Sequence, residues 1–163
     1  PGNYLFGKDG HVTFLDFGCV KQISGELVGG IKRYMRASMD GDWDEFDRTC
    51  IEVLDYDPED PSWDLYRSYT IELLRPITEP EWRCTPEAAR QAVTYIARGV
   101  KELAFKDGEL PTLPHVPEMP REFTFLNRLQ WGLASVMGGI GTVASFRTIT
   151  EPWIRDEVHP VPP

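Results

Sequence analysis

The chain of 163 residues is acidic, with a formal net charge of −9 and a pI near 4.8. A broad nucleic-acid-binding surface needs a basic stripe, so this charge balance argues against nucleic acid as a partner. With 41% hydrophobic residues the chain can bury one core of ordinary size, and we expect a single domain over residues 1–163.

The first stretch predicts a β-hairpin that brings an amide and a carboxylate together. Two short β-prone runs flank residues 7–10, a turn sequence that holds two glycines and an aspartate. We expect Phe6 to face His11 across this turn, which brings Asn3 and Asp16 to the same open end of the hairpin. Amide and carboxylate oxygens on rigid strands suit Mg²⁺, which takes few protein ligands and keeps waters or phosphates. The sequence therefore predicts a metal site at Asn3 and Asp16.

The same residues carry a resemblance to a known family. Protein kinases hold two Mg²⁺ ions with an Asp-Phe-Gly aspartate and a catalytic-loop asparagine, and Asp16-Phe17-Gly18 and Asn3 are similar to that pair in order and placement. The lead-in Pro1-Gly2-Asn3, with Leu15 before the Asp-Phe-Gly and Cys19-Val20-Lys21 after it, resembles the UbiB/AarF family of atypical kinase-like proteins. The resemblance covers residues 1–20 most closely and the helical remainder more loosely.

The resemblance implies both a fold and a set of ligands. The expected fold is α+β and mostly α-helical, a protein-kinase-like C-lobe fragment in which an N-terminal hairpin precedes about six helices. ATP and Mg²⁺ (or Mn²⁺) are the implied cofactors, with Asn3 and Asp16 as metal ligands and Asn3, Asp16, Phe17 and Gly18 as the cofactor-binding group. Phe17 is expected to pack inward and set the position of Asp16, and Gly18 to let the backbone turn.

The resemblance also places the remaining catalytic parts outside this chain. The kinase loop carries its catalytic aspartate five positions before the asparagine, which falls before Pro1, and the ATP-contacting lysine lies still earlier. We therefore expect the chain to be a fragment with no catalytic residue of its own.

The implied function is that of the C-terminal part of a kinase or ATPase, linked by resemblance to isoprenoid quinone or lipid metabolism. Its substrate would be an unknown lipid or protein, and its expected location is the cytoplasm, with peripheral membrane contact left open. One alternative is a helical scaffold or pseudo-kinase module without catalysis. Another is a small-molecule kinase of the aminoglycoside-phosphotransferase type, although residues 19–27 lack the acidic, Gly-rich segment that usually follows in those enzymes.

Apolar periodicity and capping residues predict the helices that follow the hairpin. Ser24, Asp42, Ser62 and Thr85 are the expected N-caps, and Pro76 is expected to end the third helix. Gly99, inside the fourth helix, suggests close packing against another helix. The predicted helices span about residues 25–39, 43–54, 63–75, 86–105, 121–137 and 142–149, with a loop over 77–83.

Within the single domain we distinguish four parts: a metal-binding hairpin at 1–20, a helical region at 24–108, a proline-rich connector at 109–120 and C-terminal helices at 121–163. Residues 129–146 carry no charge. Because glycines interrupt this uncharged segment, we favour the interpretation that it forms two buried helices. The alternative is that it contacts a membrane surface.

The sequence contains two further groups of residues with possible chemical roles, a basic cluster and three cysteines. Lys32, Arg33 and Arg36 form either a solvated helix face or a cluster that faces phosphate. The three cysteines, Cys19, Cys50 and Cys84, share no metal-ligand spacing and are interpreted as reduced thiols of a cytosolic protein.

Overall fold

The computed structural model describes residues 3–16, 20–104 and 121–157. In this part the chain is mostly helical, with two small antiparallel sheets, as the sequence predicts for the fold class. The helices are α1 Gly25–Asp40, α2 Trp43–Leu54, α3 Trp63–Thr78, α4 Pro86–Ala104, α5 Arg121–Gly139 and α6 Phe146–Ile154. The strands are β1 Tyr4–Phe6, β2 Val12–Phe14, β3 Trp82–Arg83 and β4 Val143–Ala144.

Helices α1 and α2 form a tightly connected pair because their ends are set by capping residues. The Ser24 hydroxyl accepts a hydrogen bond from the Leu27 amide at 3.2 Å, which starts α1 as predicted. Gly41 ends α1 with a left-handed φ of 73°. Asp42 then caps α2 by accepting from the Glu45 amide at 3.1 Å. Two linking residues thus turn the chain back, and α2 packs on α1.

The core lies where α1, α2, α3 and α6 meet. Phe46 and Cys50 of α2 are fully buried, and Phe46 makes an edge contact with Tyr34 of α1 at 6.4 Å between ring centroids. Ile77 of α3 and Ile154 of α6 close the same cluster. These helices can therefore hold a compact core together without the hairpin.

Helix α3 continues past Pro76, so the predicted end at Arg75 is wrong. The helix reaches Thr78, and the Glu79 amide donates to the Arg75 carbonyl at 3.0 Å to close the last turn. Proline removes one backbone donor, but Ile77 is buried in the core and holds this last turn in place. Tertiary packing outweighs the local helix-stop signal.

The segment after α3 contains a strand where the sequence predicted only a loop. Trp82 pairs with Ala144 and Arg83 with Val143, and the Cys84 amide donates to the Thr142 carbonyl at 2.8 Å. This pairing uses the residues before α6 as a strand, so the last helix begins at Phe146 rather than near 142 and runs to Ile154 rather than 149.

Two glycines mark close approaches between helices. A Cβ at Gly99 of α4 would collide with the Leu65 side chain of α3, which confirms the predicted close packing there. A Cβ at Gly138 of α5 would lie 3.0 Å from the Thr85 carbonyl carbon, just before α4. Helix α4 is thus held between α3 and α5. The predicted connector at 109–120 lies outside the described residues.

None of the helices in the described part of the chain is both long and apolar enough to cross a membrane.

Candidate functional site

The β1–β2 hairpin forms as predicted, but its register is shifted by one residue. Phe6 pairs with Val12, not with His11 as the sequence suggested. The cause is Gly10, whose φ of 85° places it in the left-handed region and adds one residue before the strands resume pairing. The Gly10 amide donates to the Gly7 carbonyl at 3.1 Å, and the Gly7 amide donates to the His11 carbonyl at 2.8 Å.

Despite the shifted register, the hairpin brings Asn3 and Asp16 into contact. The Leu15 amide donates to the Asn3 carbonyl at 2.9 Å, which carries the pairing one step beyond β1 and β2. Asp16 follows directly, and its Oδ2 accepts a hydrogen bond from Asn3 Nδ2 at 3.2 Å. Within a strand, successive side chains point to opposite faces of the sheet. Asp16 lies beyond the end of β2, so this alternation does not apply to it and its side chain can reach Asn3.

Both side chains of this pair are exposed at the open end of the hairpin. A ligand can therefore reach the Asp16 carboxylate and the Asn3 amide from solvent. The two groups supply hard oxygen donors, of the type that Mg²⁺ and Mn²⁺ prefer. In the observed orientation the Asn3 amide nitrogen faces Asp16. To share a cation with Asp16, the side-chain amide must turn by about 180° so that Oδ1 faces the cation. This rotation is about the χ2 torsion of asparagine, which has a broad range of allowed angles.

The donor set at this end is small. Among the described residues, no group of three or more His, Cys, Asp or Glu side chains is placed to hold a metal ion. One carboxylate and one amide fill only part of the octahedral coordination shell of Mg²⁺. The remaining ligands would be water or phosphate oxygens, as is usual for this cation in proteins. Phe17 and Gly18, predicted to complete the cofactor-binding group, lie outside the described residues.

The hairpin that carries the pair exposes apolar side chains. Tyr4 and Phe14 stack edge to face across the strands at 5.2 Å between centroids. Phe6 is 73% exposed, and Leu5 and Leu15 are also exposed. At the turn, His11 Nδ1 lies 2.8 Å from Asp9 Oδ2, and this contact lowers the pKa of the Asp9 carboxyl. Asp9 is thus a second exposed carboxylate on the same hairpin, with a different partner.

The basic cluster of α1 is engaged in ion pairs. Arg33 binds Glu45 at 2.9 Å and Glu52 at 2.8 Å, while Lys32 pairs with Asp156. Arg36 donates to the Ile154 carbonyl at 2.9 Å. These contacts tie α1 to α2 and to the end of α6, which favours the structural interpretation of the cluster over a phosphate-facing one.

The thiols in the described part of the chain are free and buried. Cys50 lies in the core, where burial raises the pKa of its thiol to about 12. Cys84 follows β3, and burial also raises the pKa of its thiol. Neither is a reactive thiolate at neutral pH. Cys19 lies outside the described residues.

Sequence reasoning missed one feature, an apolar cavity lined by Trp82, Trp131 and Phe146. These residues come from three separate elements, and no local pattern signals that they meet. The only available signal was the presence of two tryptophans outside the predicted core positions.

The sequence matches no protein-family model, and no curated protein or solved structure matches it either.

Proposed function

We propose that the chain is the C-terminal part of an atypical kinase or ATPase of the UbiB/AarF type, in which Asn3 and Asp16 hold Mg²⁺ or Mn²⁺ with ATP. The observation that supports this most is the 3.2 Å contact between the Asn3 amide and the Asp16 carboxylate. These two residues lie thirteen positions apart on a hairpin, and the sequence resemblance selects the same pair.

Phosphoryl transfer is compatible with a metal site to which the protein contributes only two ligands. Catalysis in kinases and ATPases rests on metal ions that bridge the phosphates and on groups that position the nucleophile. Asp16 would supply the charged ligand of the cation that neutralises the phosphates, and Asn3 would supply a neutral oxygen ligand to the same cation. The kinase-like C-lobe is part of the same proposal, as is a lipid or protein acceptor.

The first test is metal-dependent ATP binding by the intact protein, with whatever residues its gene encodes before Pro1. We expect ATP to bind only with Mg²⁺ or Mn²⁺. Asp16→Asn keeps the shape of the side chain but removes its charge, so it should weaken metal-dependent ATP binding by about tenfold or more, equivalent to ~1.4 kcal/mol. Isothermal titration with and without the cation measures both quantities.

Asp9→Asn is the matched control because Asp9 is also an exposed carboxylate of the hairpin and pairs only locally with His11. It removes the same charge and should leave the affinity for metal and ATP unchanged. Equal affinity in the Asp16→Asn variant and the unmodified protein, with ATP bound in a metal-dependent way, would refute the role given to Asp16.

A second candidate function is a helical scaffold without catalysis. It is favoured by the outward face of α5, where Leu129, Leu133 and Val136 are 59%, 56% and 39% exposed. Exposed apolar stripes of this kind are common at protein–protein contacts. A protein that shows no ATP binding at millimolar Mg²⁺ or Mn²⁺ would favour the scaffold over the kinase or ATPase.

A further inference from the structure

An apolar cavity of about 120 Å³ lies among the helices, and no described hairpin residue lines it. Its walls come from α3, β3, the start of α4, α5 and the first residue of α6, elements that are far apart in the sequence. Six apolar residues carry the argument: Leu73, Trp82, Trp131, Ala134, Met137 and Phe146. The cavity is unrelated to Asn3 and Asp16 and belongs to no part of the proposed metal site.

The lining selects the chemistry of a ligand. Three of the lining side chains, Trp82, Trp131 and Phe146, are aromatic, and aromatic rings pair favourably with another ring. The polar side chains of the lining are those of Glu72, Cys84, Thr85 and Gln130. The Thr85 hydroxyl already accepts a hydrogen bond from the Ala88 amide at 3.0 Å, and the Cys84 thiol is kept neutral by the rise in its pKa on burial.

The charges near the cavity argue against an acidic ligand. Glu72 lines it, and its exposed carboxylate is paired with Arg75, so this pair leaves no unbalanced positive charge for an anion. Arg75, the neighbouring cation on α3, is directed at other groups: its guanidinium lies 5.0 Å from the centroid of the Trp82 ring and 3.4 Å from Glu72. A neutral ligand therefore fits the lining best.

The walls are held in place before any ligand binds. Trp82 is fixed by strand pairing to Ala144 and by the Arg75 guanidinium over its ring. Helix α5 cannot slide toward α4, since Gly138 already lies against the Thr85 backbone. A preformed pocket spares a ligand much of the ordering cost of binding.

The volume sets the size of the ligand. Cavities of about 150 Å³ lined by apolar side chains stay dry and bind benzene. The present cavity, at about 120 Å³, is slightly smaller and is partly open to solvent. We propose that it is a binding site for a small neutral aromatic ring of about six or seven heavy atoms, the size of benzene or fluorobenzene.

Fluorobenzene is a direct probe because its ¹⁹F NMR line broadens and shifts on binding. We expect saturable one-site binding to the full chain, accompanied by a change in tryptophan fluorescence from Trp82 and Trp131. Ala134→Leu places three more carbon atoms in the cavity and should weaken binding at least tenfold. Leu133→Ala is the matched control: it lies beside Ala134 but is 56% exposed, and it should leave binding unchanged.

The opposite pattern would overturn the proposal. If Leu133→Ala reduces the ¹⁹F effect and Ala134→Leu does not, the probe associates with the exposed face of α5 and the cavity is only a packing gap. If fluorobenzene shows no saturable binding to the folded, unmodified chain, the proposal is also overturned.

A second variant covers the case in which Ala134→Leu fails to fold. Met137→Ala removes side-chain volume from the cavity wall and should shift the preference toward a larger ring, so that ethylbenzene binds several-fold more tightly than to the unmodified chain. An unchanged ratio of ethylbenzene to fluorobenzene affinity would contradict the assignment.

Discussion

Arg155 joins the beginning and the end of the helical region through two carboxylates. Its guanidinium donates to Asp40 Oδ1 at 2.5 Å and its Nε to Glu151 Oε1 at 2.8 Å. Hydrogen bonding to Arg155 is the main cause of the lowered pKa at both carboxyls, and Arg147 lowers both further. The contact fixes the turn after α6 against the end of α1.

This contact predicts a specific dependence of stability on pH. A carboxyl whose pKa is lower in the folded state stabilises the fold above its ordinary pKa, here 3.8 for Asp40 and 4.5 for Glu151. That contribution is lost as the pH falls through the lower folded values. Arg155→Gln should therefore reduce the free energy of unfolding at pH 7, and the difference from the unmodified chain should shrink toward pH 3. Urea unfolding at the two pH values measures it.

Arg90→Gln is the control for the loss of an arginine. Arg90 pairs with Glu87 at 2.6 Å, but both side chains are about 70% exposed, and exposed pairs contribute little. The Arg90→Gln variant should differ little from the unmodified chain at either pH. A difference for Arg155→Gln that grows on acidification would contradict the account.

The contact between Asn3 and Asp16 could be predicted from the sequence, whereas the contact between Arg155 and Asp40 could not. Asn3 and Asp16 could be placed together because one short hairpin connects them, and a shift of one residue in the register did not separate them. Arg155 and Asp40 are 115 positions apart. Their meeting depends on how α6 packs on α1, which no local pattern encodes.

At the scale of elements, the helices followed their capping signals except where tertiary packing prevailed. Ser24, Asp42 and Thr85 start their helices with the predicted side-chain hydrogen bonds. Ser62 precedes α3 as predicted but makes no capping bond, since its hydroxyl bonds Asp60 instead. Strands β3 and β4 have two residues each, too few for a periodic pattern, so they could not be predicted.

The packing of α1 on α2 depends on one glycine. A Cβ at Gly30 would lie 2.6 Å from Cγ2 of Val53, whose branched side chain is stiff. At the adjacent Gly29 a Cβ would meet nothing within 4 Å. Both positions lie inside α1, so alanine brings the same gain in helix propensity to each, up to ~1 kcal/mol.

We predict opposite outcomes for the two neighbours. Gly29→Ala should raise the free energy of unfolding by up to ~1 kcal/mol, whereas Gly30→Ala should be about 1–3 kcal/mol less stable than Gly29→Ala, because the added methyl overpacks the interface. Chemical unfolding of the two variants provides the comparison, and Val53→Ala in the Gly30→Ala background should recover part of the loss. Equal stability of both alanine variants would show that the helices adjust freely.

At the scale of the whole molecule, the site and the core are built by different parts of the chain. All residues of the described hairpin segment, 3–16, are exposed, whereas the core belongs to the helices. A two-stranded hairpin is marginally stable alone, and its apolar faces are surfaces on which further protein can pack. Substitution of Asp16 should therefore alter ligand binding with little effect on the unfolding of the helical region.

Apolar periodicity and capping residues predicted a mostly helical fold, which the structure confirms as a class, and composition predicted one core. It could not predict the aromatic cavity, because Trp82, Trp131 and Phe146 meet only after α3, α5 and the β3–β4 sheet have assembled. The contact between Asn3 and Asp16 was predictable because its geometry is local. The cavity was not, since its geometry is global.

The central claim, that Asn3 and Asp16 hold a divalent cation with ATP, is tested most directly by paramagnetic broadening from Mn²⁺. With substoichiometric Mn²⁺ and a non-hydrolysable ATP analogue, the side-chain amide signal of Asn3 should broaden first, and Asp16→Asn should restore it. Preferential broadening of the acidic loop at residues 55–60, or broadening at Asn3 that persists in the Asp16→Asn variant, would contradict the claim.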